Sequence, residues 1–121
     1  MKSKILVVED DFDLQSLMSQ KLAMEGFEVL QALTGQEALD LAKKIPDLIL
    51  LDILLPDIDG LTVLQEIVKD KDLKKIPVII LSNLADSAAV EQAAAIGNYE
   101  YLVKAKTDLN TVVAKIRGKL K

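Results

Sequence analysis

Five short apolar segments limit the folds open to this chain more than any other feature of its sequence. They are rich in Ile, Leu and Val, and they span residues 5–8, 29–32, 48–51, 78–81 and 101–103. The second is weaker than the others and the fifth is shorter. Continuous apolar runs of this length are typical of strands that are buried on both faces of a parallel sheet. We therefore expect five parallel strands.

Segments with helical spacing lie between and after these runs. Each places apolar residues three or four positions apart, so that they share one helix face. The expected inward positions are Leu14, Leu17, Met18 and Leu22 (with Lys21 as a polar member), then Ala38, Leu39, Ala42 and Ile45, then Leu61, Leu64, Ile67 and Val68, and finally Val112, Val113 and Ile116 in a helix over residues 108–120. An Ala-rich helix is expected over residues 87–96.

Short polar or conformationally special residues mark the ends of these helices. Gly26, Pro46 and Gly97 are expected to end the first, second and fourth helices. Asp11 or Asp13 is expected to cap the first helix. Strand and helix then alternate five times in 121 residues, which predicts one α/β domain over residues 1–121. It would be doubly wound, with helices on both faces of the sheet and the functional site beyond the carboxyl ends of the strands.

The composition excludes several kinds of chemistry. The chain contains no Cys and no His, so it has no disulfide, no thiol nucleophile and no imidazole base or ligand. The net charge of -4 and an aromatic content of 3% argue against direct binding of nucleic acid. No apolar run is long enough to cross a membrane, and no secretory signal pattern is present. We expect a cytoplasmic protein with no membrane partner.

Polar residues follow the apolar runs where the strands are expected to end. Glu9 and Asp10 follow the first run, Asp52 the third, Ser82 the fourth and Lys104 the fifth. Two carboxylates about 4 Å apart repel by on the order of 4 kcal/mol at an effective dielectric of about 20. A hard cation such as Mg2+ offsets this and leaves coordination sites for phosphate oxygens. With a hydroxyl and an ammonium added, the set is suited to phosphoryl transfer.

Each of these residues also has an ordinary structural interpretation. Glu9 and Asp10 alone would be a solvated loop, Ser82 alone a turn residue and Lys104 alone a surface lysine. Asp52 differs, because it interrupts a run of Ile and Leu and would be poorly solvated without a partner. The functional interpretation therefore depends on the joint pattern.

Four motifs occur in order along the whole chain. They are Ile5-Leu-Val-Val-Glu-Asp-Asp, Asp47-Leu-Ile-Leu-Leu-Asp-Ile-Leu-Leu-Pro-Asp-Ile-Asp-Gly60, Ile76-Pro-Val-Ile-Ile-Leu-Ser82 and Tyr101-Leu-Val-Lys104. In content and spacing the chain resembles the receiver domains of two-component response regulators, of the chemotaxis-regulator type. The resemblance implies a flavodoxin-like fold, with a five-stranded sheet in the order 2-1-3-4-5 and five flanking helices.

The same resemblance implies a role for each matching residue. Asp52 would accept a phosphoryl group from a phosphohistidine of a sensor histidine kinase or phosphotransfer protein. Glu9 and Asp10 would hold Mg2+ together with Asp52 and the backbone carbonyl of Leu54. The chain would not be an enzyme beyond catalysing its own phosphorylation and dephosphorylation.

The remaining residues are implied in the response to phosphorylation. Lys104 would pair with the phosphoryl group, Ser82 would bond one of its oxygens, and Tyr101 would be the aromatic switch. Their movement would repack the face formed by the fourth helix, fifth strand and fifth helix, where an unknown downstream protein or a second copy of the chain would dock. Such a face is a two-state element biased by local charge.

Four positions depart from the family's pattern or bear on the lifetime of the phosphoryl group. Ala105 follows Lys104 where the family has a proline in a cis bond, so a trans and a strained cis peptide both remain open. Asn83 follows Ser82 in place of a small residue, and it would narrow access to the phosphoryl group or bond to it. Leu54 and Leu84 are apolar and cannot orient an attacking water, which predicts a long-lived phosphoryl state.

Other functions are compatible with parts of the sequence. Asp11-Phe-Asp13 resembles the first motif of haloacid-dehalogenase-type phosphatases, but the hydroxyl expected after it is missing. A flavin carrier of the same strand order needs a phosphate-binding loop, which acids at residues 9–11 would repel. The main alternative is a receiver-like module for interaction or dimerisation that is not phosphorylated. The sequence also leaves open whether the domain stands alone or belongs to a larger protein.

Overall fold

The structure, a computed structural model, describes residues 2–83, 87–97 and 99–121. Its elements are β1 (Lys4–Val8), α1 (Phe12–Met24), β2 (Glu28–Ala32), α2 (Gly35–Ala42), β3 (Leu48–Leu51), α3 (Gly60–Lys69), β4 (Val78–Ser82), α4 (Ser87–Ile96), β5 (Glu100–Val103), a 3₁₀ turn (Lys104–Lys106) and α5 (Leu109–Leu120). The strands form one parallel sheet in the order β2-β1-β3-β4-β5. The predicted α/β fold and strand order are confirmed.

The two faces of the sheet carry separate apolar clusters. Because side chains alternate along a strand, Leu6 and Val8 of β1 pack on the side of α2, α3 and α4, whereas Ile5 and Val7 pack on the side of α1 and α5. Strands β1, β3 and β4 are flanked by neighbours and have buried apolar residues on both faces. Strands β2 and β5 are the edges and are only partly buried, which explains their weaker apolar runs in the sequence.

Helix α1 buries most of the predicted face, but not Leu17. Met18 and Leu22 are buried as expected, but Leu17 is 54% exposed. Gln15 and Ser19 take the inward positions. The Gln15 amide donates to backbone carbonyls of β1 and β2, both at 3.0 Å, and it accepts from the Ser19 hydroxyl at 2.8 Å. The prediction for Leu17 was wrong because this polar network occupies part of the face that hydrophobic periodicity assigns to leucines.

Helix α2 ends earlier than predicted. Ala38 and Ala42 are buried, but Ile45 lies beyond the C-cap residue Lys43 and is 50% exposed. The backbone of Ile45 has a φ of 53°, a left-handed conformation that a right-handed helix cannot contain. The expectation that Ile45 faces the core was therefore wrong, and the helix stops before Pro46 rather than at it.

The other helix ends agree with the sequence. Asp11 is the N-cap of α1, and its carboxylate accepts from the backbone N–H of Leu14 at 3.1 Å. Gly26 follows the C-cap of α1 with a φ of 95°, and Gly97 follows α4.

Helix α3 begins directly against the end of β3. The backbone N–H of Gly60 donates to the carbonyl of Ile53 at 2.8 Å. A Cβ added to Gly60 would meet the carbonyl oxygen of Asp52 and lie 2.5 Å from Cα of Ile53. Only glycine fits at this point, and its absence of a side chain brings α3 against the backbone of Asp52.

Within the residues that the structure describes, no peptide bond is cis, so the bond between Lys104 and Ala105 is trans. Among the same residues, none of the helices combines the length and the apolar character that a membrane span requires.

Candidate functional site

Strands β1 and β3 bring two carboxylates together at the carboxyl ends of the parallel strands. Val8 pairs in register with Leu51, so that Glu9 and Asp52, the next residue on each strand, leave the sheet side by side. The backbone N–H of Asp52 continues the ladder by donating to the carbonyl of Val8 at 3.0 Å. Glu9 and Asp52 are almost fully buried, with exposed fractions of 1% and 4%.

Asp10 completes a cluster of three carboxylates. One carboxylate oxygen from each of Glu9, Asp10 and Asp52 lies within 4.8 Å of the other two. Asp10 is exposed, so the cluster is accessible from solvent. Oε1 of Glu9 is buried, and it faces the ammonium of Lys104. Convergent carboxylate oxygens with access for water are the ligands that a hard divalent cation prefers, and this donor set fits such an ion.

The ammonium of Lys104 contacts both buried carboxylates. Nζ lies 2.5 Å from Oδ2 of Asp52 and also contacts Oε1 of Glu9. Burial acts to lower the pKa of Lys104, but the two carboxylates outweigh it and raise the pKa above its ordinary value. Burial raises the pKa of Glu9, although Lys104 and the backbone N–H of Asp11 act to lower it. The cation at position 104 therefore offsets much of the repulsion within the cluster.

The loop between β3 and α3 is constrained at two points. Near its start, the backbone N–H of Leu54 donates to Oδ1 of Asp52 at 3.1 Å. Further along, Asp57 accepts from the backbone N–H groups of Gly35 and Gln36 at 2.7 and 3.0 Å. The amides of Gln36 and Gly35 hold the pKa of Asp57 below its ordinary value. This loop, which includes Leu54, is thus tied to the buried carboxylate and to the N-terminus of α2.

Ser82 and Tyr101 lie on the adjacent strands β4 and β5. Ser82 is the last residue of β4, is fully buried, and pairs in register with Val103. Tyr101 is half-buried, pairs with Ile80, and packs against the apolar cluster on the α2, α3 and α4 side of the sheet. Leu84, the second position predicted to affect hydrolysis, lies outside the described residues.

The two residues that depart most clearly from the expected pattern are bonded to each other. The backbone N–H of Ala105 donates to Oδ1 of Asn83 at 3.0 Å. Each residue directly follows a site residue, Ser82 in one case and Lys104 in the other. The sequence singles out both positions, but it did not lead us to expect a contact between them.

Gln15 is the site-supporting residue that sequence reasoning missed. Besides its bonds to β1 and β2, its Nε2 lies 3.4 Å from the backbone carbonyl of Glu9. Gln15 therefore supports the backbone at the end of β1, where the acidic cluster begins. The sequence does place Gln15 one helical turn before Met18 and Ser19, on the same face of α1, which would have indicated that its side chain points inward.

Comparison with known families identifies the domain. A family model for the response regulator receiver domain matches residues 5–117. The chain belongs to this family. This receiver domain is homologous to response regulators, and its class of function is phosphorylation-dependent signalling in two-component systems. The match does not support a phosphatase or flavin carrier, and Asp11, which the phosphatase motif would use, is the N-cap of α1.

Individual relatives and solved structures are similar over nearly the whole receiver domain. The DNA-binding dual master transcriptional regulator RpaA of Synechocystis is 36% identical over 119 residues, which are 98% of this chain and 49% of that protein. A CheY-like receiver domain protein of Methanospirillum hungatei has a TM-score of 0.92 at 28% identity, covering 99% of this chain and 94% of that one. The BeF3-activated receiver domain of Klebsiella pneumoniae RstA has a TM-score of 0.88 at 28% identity, covering 98% and 99%. The chain spans about half the length of the curated relative.

Proposed function

We propose that Asp52 accepts a phosphoryl group and that the charge change at this residue switches the domain between two states. The observation that supports this most directly is the contact of the Lys104 ammonium with Asp52, 2.5 Å away, beside two further carboxylates. A buried carboxylate with a fixed cation and an opening to solvent is suited to receive an anionic group and to hold it.

In the transfer step, an oxygen of the Asp52 carboxylate attacks phosphorus and forms a P–O bond. The P–N bond to the histidine of the donor protein breaks, and the imidazole nitrogen keeps the electron pair and takes a proton from solvent. Lys104 is placed to neutralise the charge on the phosphoryl oxygens, because its Nζ already lies against Asp52. Because the two carboxylates outweigh the effect of burial on its pKa, Lys104 stays protonated at neutral pH.

The acidic cluster is the proposed Mg2+ site. The ligands would be carboxylate oxygens of Glu9, Asp10 and Asp52 with the backbone carbonyl of Leu54, and the convergence of the three carboxylates supports this assignment. When bound, Mg2+ offsets negative charge and orients phosphoryl oxygens. The contact of Lys104 with Glu9 would be replaced, which frees the ammonium to follow the phosphoryl group.

The switch would operate through Ser82 and Tyr101. Ser82 is fully buried at the end of β4, so its hydroxyl is close to where the strands deliver the site residues. A shift of β4 toward the new anion would change the packing beside the half-buried Tyr101 on the neighbouring strand. The face of α4, β5 and α5 would then bind its target differently in the two states.

The partners follow from this chemistry. The donor would be a sensor histidine kinase or a histidine phosphotransfer protein, since the chain itself has no His. The target would be a downstream protein or a second copy of the domain, bound at the α4, β5 and α5 face. Autocatalysed gain and loss of the phosphoryl group would be its only reactions, and a cytoplasmic location remains a prediction from the sequence.

Intact mass after incubation with acetyl phosphate and Mg2+ tests the proposal. We expect the mass of one phosphoryl group to be added to the wild-type chain and to an Asp72→Asn control, which changes an exposed aspartate away from the site. No addition is expected with Asp52→Asn or without Mg2+. An unmodified wild-type chain that still binds Mg2+ would contradict the proposal and favour a receiver that acts as an interaction or dimerisation module without phosphorylation.

A further inference from the structure

We propose that Asn83 is a positioning residue that sets the placement of Lys104 through its hydrogen bond to the backbone of Ala105. This inference rests on the proposed function of the site. The bond is direct: the N–H of Ala105 donates to Oδ1 of Asn83 at 3.0 Å, across 22 residues of sequence. Ala105 is the neighbour of Lys104 in the 3₁₀ turn that follows β5.

The bond extends the connection between β4 and β5 beyond the strand ladder. The last register pair of these strands is Ser82 with Val103. Beyond this pair the backbones no longer form a ladder, and the side chain of Asn83 takes the place of a backbone carbonyl as the acceptor for Ala105. The side chain of Asn83 therefore joins the two strand ends beyond the last register pair of the ladder.

Apart from the contacts of the Lys104 ammonium with Asp52 and Glu9, the remaining described hydrogen bonds of the turn are local to it. The hydroxyl of Thr107 donates to the carbonyl of Val103 at 2.8 Å, and the N–H of Thr107 donates to the carbonyl of Lys104 at 3.3 Å. These bonds shape the turn but do not fix it relative to β4. Among the described contacts of the turn backbone, the Asn83 bond alone joins it to another strand.

This arrangement couples the two groups that would face a phosphoryl group. Asn83 adjoins Ser82, and Ala105 adjoins Lys104, so a displacement of the end of β4 is passed to the turn that holds the ammonium. Asn83 is exposed, and an exposed hydrogen bond competes with water and is readily broken. The bond can therefore break and re-form during a switch, and it favours one position of Lys104 while it is formed.

A proline at position 105 would remove the hydrogen bond between positions 83 and 105, because proline has no backbone N–H. An alanine at position 83 would remove it from the other side, because its side chain has no acceptor. Both substitutions break the same bond, so Asn83→Ala should have no further effect once position 105 is proline, although the proline also constrains the backbone of Lys104. A double-mutant cycle over these two positions separates an action through the bond from a direct contact of Asn83 with the phosphoryl group.

The experiment measures the maximal rate of phosphorylation by acetyl phosphate with saturating Mg2+ for Asn83→Ala, Ala105→Pro and the double variant. One neutral hydrogen bond corresponds to a rate decrease of about threefold to tenfold in Asn83→Ala, whereas Ala105→Pro serves as the background in which the bond is already absent. The double variant should be no slower than the slower single variant. Asn110→Ala, which changes an exposed asparagine on α5, should retain the wild-type rate.

Two results would overturn the inference. One is a wild-type rate in Asn83→Ala; the other is a double variant in which the two losses multiply, since Asn83 would then act independently of Ala105. A wild-type chain that takes no phosphoryl group refutes the proposed function instead. In that case the NMR signals of the Lys104 side chain still decide the positioning role: they should shift in Asn83→Ala and stay in place in Asn110→Ala, and unchanged signals in both would refute it.

Discussion

Oδ1 of Asp57 lies 2.7 Å from the backbone nitrogen of Gly35 and accepts its hydrogen bond, although the two residues are 22 positions apart. The second oxygen of the same carboxylate accepts from Gln36 at 3.0 Å. A side chain from the loop after β3 thus satisfies two of the N–H groups that the first turn of α2 leaves free. The loop of the site and the start of α2 are held as one unit.

Replacing Asp57 with alanine is expected to lower the melting temperature by a few degrees, because two backbone donors lose their acceptor and the helix dipole loses a nearby anion. The pKa of Asp57 is lowered in the fold by the amides of Gln36 and Gly35. Its stabilisation is therefore present above the ordinary pKa of an aspartate and is lost as the pH falls through the lowered value. Thermal melts between neutral and strongly acidic pH should show the wild-type advantage disappearing, whereas the exposed Asp72→Ala control should not show it at any pH.

Replacing Lys104 with methionine is expected to lower the free energy of unfolding by about 3 kcal/mol, because two buried carboxylates lose their cation. Mg2+ should restore part of the loss, since a divalent ion supplies the missing positive charge. Denaturant unfolding with and without Mg2+ measures both effects. Lys106→Met, which changes an exposed lysine in the same turn, should behave like the wild type; an equal loss in both variants would show that the charge pair has no special role.

Mg2+ is expected to stabilise the fold through Asp10. At a Mg2+ concentration about a hundredfold above Kd the gain is about 2.7 kcal/mol. Asp10→Asn should remove most of this gain and should also be more stable than the wild type when Mg2+ is absent, because one of three repelling carboxylates is gone. Thermal melts across a Mg2+ titration test this, with Asp13→Asn as the control on the exposed first turn of α1. A full Mg2+ response in Asp10→Asn would contradict the proposed site.

The phosphoryl group on Asp52 is expected to persist for minutes or longer after the donor is removed. Leu54 is 54% exposed beside Asp52, and its apolar side chain cannot orient a water molecule for attack. Leu54→Asn should shorten the lifetime, because an amide can hold such a water, whereas Leu54→Met should leave it long. The decay of the phosphorylated mass over time is the measurement, and a wild-type half-life of seconds would refute the prediction.

Gln15→Leu is expected to lower the free energy of unfolding by about 2 kcal/mol, because buried carbonyls of β1 and β2 lose one of their donors and the hydroxyl of Ser19 loses its acceptor. The affinity for Mg2+ should fall as well, since Gln15 supports the backbone at Glu9. Gln20→Leu changes an exposed glutamine on the same helix and should change neither quantity. Unfolding curves and a Mg2+ titration give the two values, and an unchanged Mg2+ affinity in Gln15→Leu would limit its role to stability.

The sequence predicts the elements that depend on apolar patterning alone. Strands β1, β3 and β4 are buried on both faces, so their residues form unbroken apolar runs, and the strand order then places residues 9, 52, 82 and 104 near one edge. The errors in the prediction occur where polarity or backbone conformation decides. Gln15 is buried because its amide satisfies carbonyls from two strands, and Ile45 turns outward because its φ is positive. Hydrophobic periodicity does not reveal either a satisfied buried amide or a positive φ.

The bond between Asn83 and Ala105 is harder to predict from one sequence than the burial of Gln15 or the exposure of Ile45. It joins two loops whose relative position depends on the β4 and β5 register, and an exposed asparagine has many partners available to it. The departures from the family pattern at these two positions were visible, but a contact between them required coordinates.

The position of Lys104 directly after the edge strand β5 has a consequence for how the protein is made. The acids of β1 and β3 leave the ribosome before the lysine does, so the nascent chain carries these carboxylates without their cation until β5 joins the sheet. In a partly synthesised or partly folded molecule, the lysine that would stabilise a phosphoryl group is not yet in place beside the carboxylates. The site is thus completed only when the last strand docks.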